Sequence, residues 1–261
     1  MTAAAAHPDL RVDREGPVAV VVLTRPPHNY VSHDTMGALA DTLEALDADG
    51  DVRAGVLASE GRSFCAGADF SGGMGDEEAF AARTALFYAG VVRLFRVRLP
   101  LVAAVHAGAI GAGMGLALAA DLRVTCRSAW FAASFTRLGI HPGFGMTHTV
   151  TALLGPARAA DLLLTGRRIG GEEAHRIGLA DRLVADDQVR EGAVGLAQEL
   201  AAAAPLAVRA TRDTLRDGLA DRVAAALEHE RREQRWLSQS ADAAEGIAAV
   251  RERRKPDFTG R

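Results

Sequence analysis

Four short apolar runs constrain this chain more than any other feature: "VAVVVLT" (residues 18–24), "VRAGVLAS" (52–59), "PLVAAV" (100–105) and "DLRVTC" (121–126). The first, a β-branched run bounded by Gly16-Pro17 and Pro26-Pro27, reads as a strand covered on both faces, and the other three read as further strands. Helical patterns separate them. "SHDTMGALADTLEALDAD" offers Ser32 or Asp34 as a cap and a stripe of Met36, Leu39, Leu43 and Leu46. A second helix is predicted over residues 77–95, with Phe80, Leu86, Phe87 and Leu94 on its stripe, and a short one over 112–119. Strands alternating with helices predict an α/β architecture with parallel crossovers through about residue 130. After "HPGFG" the pattern changes. Residues 147–252 read as successive helices, interrupted by one short strand near 179–184.

The chain has 261 residues, 49% hydrophobic and 24% charged, which suits one substantial core. Thirty basic against thirty-three acidic residues give a net charge of -3, so no basic excess points to nucleic acid or to an anionic membrane surface. The two cysteines, Cys65 and Cys126, lie in apolar surroundings and read as reduced, buried thiols of a cytosolic protein. The opening "MTAAAAHPDLRVDREG" has no secretory pattern and reads as a loose tail.

Between two of the runs lies "HAGAIGAGMGLALAADLRV" (residues 106–124), for which three readings compete. A membrane span is disfavoured by the glycines, each costing roughly 1 kcal/mol in a helix interior, and by Pro100 and His106 nearby. A nucleotide loop is disfavoured too, because the glycine spacing misses the dinucleotide fingerprint and no Lys-Ser/Thr follows. The third reading pairs this loop with "FCAGAD" (64–69), which follows another strand. Bare backbone from the two could aim two N–H groups at one carbonyl oxygen, with the helix starting at Ala112 adding its dipole.

The ordered set "RPPHNYVS", "GRSFCAGADF", "AAVHAGAIGAGMGLALAADLRV", "LGIHPGFG", "LTGRRIGGEEAHRIGLADRLV" and "RERRKPDF" resembles the crotonase, or enoyl-CoA hydratase/isomerase, superfamily over nearly the whole chain. The resemblance implies a spiral of ββα turns in residues 1–200 and a helical trimerisation region in 201–261. It also implies a homotrimer or a dimer of trimers, and acyl-CoA thioester substrates with no cofactor beyond the CoA itself. Carried over by motif, the two backbone donors are Ala66 and Ala112, the latter beside Gly111. CoA contacts fall on Asn29, Tyr30, Val31, Gly67, Ala68 and Asp69, with Lys255 and Phe258 reaching CoA across the trimer.

Two departures from the family pattern stand out. Hydratases of the family carry one glutamate three residues after the second donor and another before the Pro-Gly-x-Gly turn; here those positions hold Gly115 and Phe135. Neither residue transfers a proton, so two-glutamate hydration is not expected. His141, on the turn where relatives place a working acid, is the candidate acid–base group. The alternative is a non-catalytic acyl-CoA binder or scaffold. His106 reads as a backbone brace and His148 as a residue of the following helix. Asp76, Glu77 and Glu78 read as helix-start compensation, Asp69 as a loop-shaping residue and Cys65 as an unreactive thiol. Phe135 with Phe131 suggests an apolar acyl pocket.

Overall fold

The computed structural model describes residues 7–69 and 77–261. In chain order these form β1 (Leu10–Glu15), β2 (Val18–Leu23), α1 (His33–Ala48), β3 (Ala54–Ser59), β4 (Ser63–Cys65) and α2 (Glu77–Arg96). Next come β5 (Leu101–Val105), β6 (Gly108–Ile110), α3 (Ala112–Ala119), β7 (Leu122–Cys126), β8 (Trp130–Ala132) and a 3-10 turn (Thr136–Leu138). The remainder is α4 (Met146–Leu154), α5 (Pro156–Thr165), β9 (Arg168–Gly170), α6 (Gly171–Arg176), β10 (Arg182–Val184), α7 (Val189–Ala202), α8 (Pro205–Leu215), α9 (Leu219–Leu237) and α10 (Ala241–Glu252).

The four apolar runs are β2, β3, β5 and β7, the parallel centre of a six-stranded sheet ordered β1-β2-β3-β5-β7-β10. Val20, Val56 and Val102 sit in one cross-strand row. Alternation then sorts each strand between two layers. Val18, Val20 and Val22 pack with Val56, Val102 and Val124 against the Val189, Ala193 and Ala197 face of α7. Ala19, Val21 and Leu23 pack on the other side with Met36 and Leu39 of α1 and Leu94 of α2. All six residues of β2 are buried, as a continuous apolar run requires.

A second sheet, ordered β4-β6-β8-β9, is made of strands three residues long. Each of β3, β5 and β7 feeds a short strand of this sheet, and β3–β4 and β5–β6 are each followed by a helix. These are the ββα turns that the family resemblance implies. Two readings of the sequence need correction. Residues 10–15, read as part of a loose tail, form the antiparallel edge strand β1. Their charged side chains hide the signal, because an edge strand needs its backbone pairing more than apolar side chains. The helical half contains β9 as well as β10, since a three-residue strand over Arg168–Gly170 offers no periodicity to read.

The sheet is tied to the C-terminal helices by one carboxylate. Asp121, between α3 and β7, accepts from Leu101 N–H at 2.8 Å, Arg212 Nε at 2.8 Å and Arg216 Nη1 at 2.7 Å. Burial pushes its carboxyl up, but the two guanidiniums outweigh that and hold it below the ordinary carboxylate value. A depressed folded-state value means the contribution is present above about pH 4 and is lost as pH falls through the folded value. Asp121→Asn should therefore lower unfolding stability by about 3 kcal/mol at pH 7, read from urea denaturation, because it strands two nearly buried guanidiniums. The gap between wild type and variant should shrink below about pH 4.

Candidate active site

The two glycine loops meet at the ends of β4 and β6. β4 pairs with β6 in parallel, and Gly111 N–H donates to Ala132 O at 2.8 Å, fixing the start of α3 against β8. Gly111 has φ +53°, a left-handed turn that aims the chain into the helix. A Cβ at Gly113 would overlap the Cys65 carbonyl, so only glycine lets α3 lie directly on the end of β4. Ala112, the first residue of α3, carries an N–H that has no acceptor within the helix.

On the other loop, Val31 N–H donates to Gly67 O at 3.0 Å and Asp69 N–H donates to Val31 O at 2.9 Å. Residues 67 and 69 thus turn polar groups toward Val31, and the N–H of Ala68 between them points the opposite way. This corrects the assignment of Ala66. Its N–H donates to His28 O at 2.9 Å and is already committed. Ala68 and Ala112 both border one partly open cavity of about 100 Å³, and Ala66 does not.

Aromatic rings dominate the rest of the cavity wall. Phe87, Phe135 and Phe144 are buried, and Phe87 meets Phe144 edge-on with centroids 6.0 Å apart. The Phe144 ring lies against Gly115 where any side chain would have to go, so a Cβ there would overlap the ring. Phe144 holds φ +65°, a conformation that costs a bulky residue about 1–3 kcal/mol unless packing enforces it. The polar groups nearby are tied up. Tyr88 donates to Gln234 Oε1 at 2.9 Å, Gln234 Nε2 donates to His141 O at 2.9 Å, and burial pushes the Tyr88 phenol up. Glu230 of α9 accepts from Gly145 N–H at 2.7 Å and from Thr147 N–H at 3.0 Å, seating the Pro-Gly turn. Burial pushes the Glu230 carboxyl up, against those bonds.

The other sequence candidates are distributed as follows. Asn29 is buried with φ +52° and uses its amide to donate to Ser63 O at 2.8 Å, a loop pin. Tyr30 is exposed, and its carbonyl accepts from Arg25 Nη1 at 3.0 Å. Asp69 pairs with Arg25 at 2.6 Å. The His141 ring borders a neighbouring cavity, where its Nδ1 lies 2.8 Å from Pro142 O. Phe258 borders that second cavity too, and Lys255 is exposed. Asp242 holds the tail there through Thr259 N–H at 2.7 Å and Gly260 N–H at 2.9 Å. His106 lies with Nε2 3.1 Å from Gly61 O, and His148 lies in α4. Burial pushes the Cys65 thiol up to about 12, so it is unreactive near neutrality. Asp76 lies outside the described residues. Sequence reasoning passed over His33, which borders the same cavity as Ala68 and Ala112; at a helix start it reads as a surface residue. Among the described residues no group of three His, Cys, Asp or Glu side chains is placed to hold a metal.

The enoyl-CoA hydratase/isomerase family profile matches residues 13–261. A probable enoyl-CoA hydratase of Mycobacterium tuberculosis is 35% identical over 255 residues, covering 96% of this chain and 97% of that protein. The 1,2-epoxyphenylacetyl-CoA isomerase of Escherichia coli is 33% identical over 250 residues, covering 94% and 95%. The crystal structure of carnitinyl-CoA hydratase from Mycobacterium avium superposes with a TM-score of 0.86 at 33% identity, covering 98% of this chain and 100% of that one. The chain belongs to the enoyl-CoA hydratase/isomerase family and is an acyl-CoA enzyme of that family.

The close approach of α3 to β4 is directly testable. Gly113→Ala forces the helix off the Cys65 carbonyl and should cost about 1–3 kcal/mol, seen as a Tm lowered by several degrees. Gly195→Ala in α7, where a Cβ meets nothing, should leave Tm unchanged or raise it.

Proposed function

We propose that this enzyme binds the thioester carbonyl of a short acyl-CoA between the backbone N–H groups of Ala68 and Ala112 and works through the enolate, without two-glutamate hydration. The observation that carries the reading is the opening of two uncommitted amides, one at a helix start and one in a bridged loop, on a single small cavity. Fixed donors against a largely apolar wall stabilise a developing oxyanion better than donors free in water, and the α3 dipole adds to them. The acyl group is short. The cavity of about 100 Å³ is smaller than the roughly 150 Å³ that takes a benzene molecule in an engineered core. Gly115 and Phe135 stand at the two glutamate positions, and the Phe144 ring fills the space beside Gly115. Isomerisation, decarboxylation or hydrolysis suits such a site better than hydration.

CoA runs along residues 29–31 and 66–69 in this reading. The C-terminal region, residues 201–261, serves assembly into a homotrimer or a dimer of trimers, which is how Lys255 and Phe258 come to a neighbouring CoA. The exposed Trp236, Leu215 and Val250 favour such a covered surface. A cytosolic setting accords with two free cysteines and with the lack, among the described residues, of a helix long and apolar enough to cross a membrane. His141 has no proton-transfer role here, because its ring stands in the neighbouring cavity.

The ring-filled wall favours a second reading, a non-catalytic acyl-CoA binder. Turnover of a panel of short acyl-CoA thioesters separates the two. Ala112→Pro deletes one N–H at the helix position that tolerates proline best, so turnover should fall about 10²–10³-fold with helix content retained by circular dichroism. Binding of the whole panel with no turnover of any member would instead establish the binder.

A further inference from the structure

We propose that His33 is the proton-transferring residue of this site, taking a proton from the substrate α-carbon and returning it. The proposal rests on the enolate reading above. Among the described residues that border the cavity, four side chains titrate: His33, Asp69, Arg83 and Tyr88. Asp69 is committed to the Arg25 guanidinium at 2.6 Å. Arg83 is a permanent cation. Tyr88 already spends its proton on Gln234. His33 remains, and imidazole is the side chain whose ordinary range lets it both take and give a proton near neutrality.

Placement supports the same choice. Of the eight histidines in the chain, His33 is the one bordering the cavity that Ala68 and Ala112 share; His141 and His148 border other cavities, and His106 braces Gly61. His33 follows two residues after Val31, whose backbone brackets Ala68, so one stretch of chain carries the proton-transfer group and positions an oxyanion donor. Ser32 Oγ accepts from Thr35 N–H at 3.1 Å and fixes the first turn of α1, from which the ring projects. The His33 side chain is 31% exposed, and Asp34 Oδ1 stands 3.5 Å from Nε2, close enough to support the imidazolium once it forms. Among the described residues no hydrogen bond commits either ring nitrogen.

In the step, a neutral ring nitrogen accepts the α-proton. The electron pair of the broken C–H bond becomes the C=C of the enolate, and the thioester oxygen takes the charge between Ala68 and Ala112. Return of the proton from the imidazolium to carbon restores the neutral ring, so nothing is oxidised or reduced.

The test is exchange of the α-hydrogens of butyryl-CoA in D2O, followed by proton NMR with the full-length protein. Wild type should exchange them, and His33→Gln should slow exchange by about 10²-fold or more, with butyryl-CoA affinity within a few-fold of wild type by calorimetry. His33→Gly should be slowed likewise and partly restored by added imidazole, which a merely structural role would not allow. Exchange by His33→Gln at the wild-type rate overturns the assignment of His33 while leaving the enolate reading intact. Absence of exchange by wild type that binds butyryl-CoA overturns the enolate reading and this assignment with it.

Discussion

Everything at the candidate site depends on one backbone approach, that of α3 onto the end of β4 at Gly113 and the Cys65 carbonyl. With a side chain at residue 113 the helix would have to lift, and its first amide would leave the cavity that Ala68 borders. The two sheets provide the frame for that contact. The long central strands set the positions of β3 and β5, the three-residue strands β4 and β6 carry the chain from them to the loops, and Gly111 turns β6 into α3. The dense core of β-branched and alanine side chains behind this frame resists displacement, which is what a site made of backbone needs.

The legibility of the sequence followed the strength of local physics. β2 was readable because burial on both faces demands a continuous apolar run, β3, β5 and β7 because short β-branched and alanine-rich segments recur between helical stripes, and α1 because Ser32 and its stripe agree. The strands of the second sheet were not, since three residues with glycine among them have neither length nor period. The glycine loops come together in the fold, and Ala112 borders the cavity between them and α2. The commitment of the Ala66 amide was not legible, because composition shows which residues are small and says nothing of where their N–H groups point. Only the bridge to Val31 reveals that Ala68 turns its N–H away while Ala66 spends its own on His28. His33 was invisible for a related reason: its neighbours in sequence describe a helix start, and its neighbours in space describe a cavity.

The balance of polar and apolar groups around the cavity has a common logic. Tyr88, Gln234 and Glu230 are all occupied with one another or with the turn at residues 141–147, so they lock α2 and α9 onto the cavity floor. The aromatic rings make most of the remaining wall apolar. Rigidity comes from the buried hydrogen bonds and the apolar character of the wall from the rings, and both accord with the proposed holding of an oxyanion by fixed amides.

The seating of Phe144 against Gly115 also couples the two positions sterically. A carboxylate cannot enter at residue 115 while the ring is there, and removing the ring first leaves a void in the core. Either change alone therefore costs stability, one through overlap and the other through a void. Residues 115 and 144, twenty-nine positions apart in sequence, are thus one packing unit, and substitutions at the two are not independent.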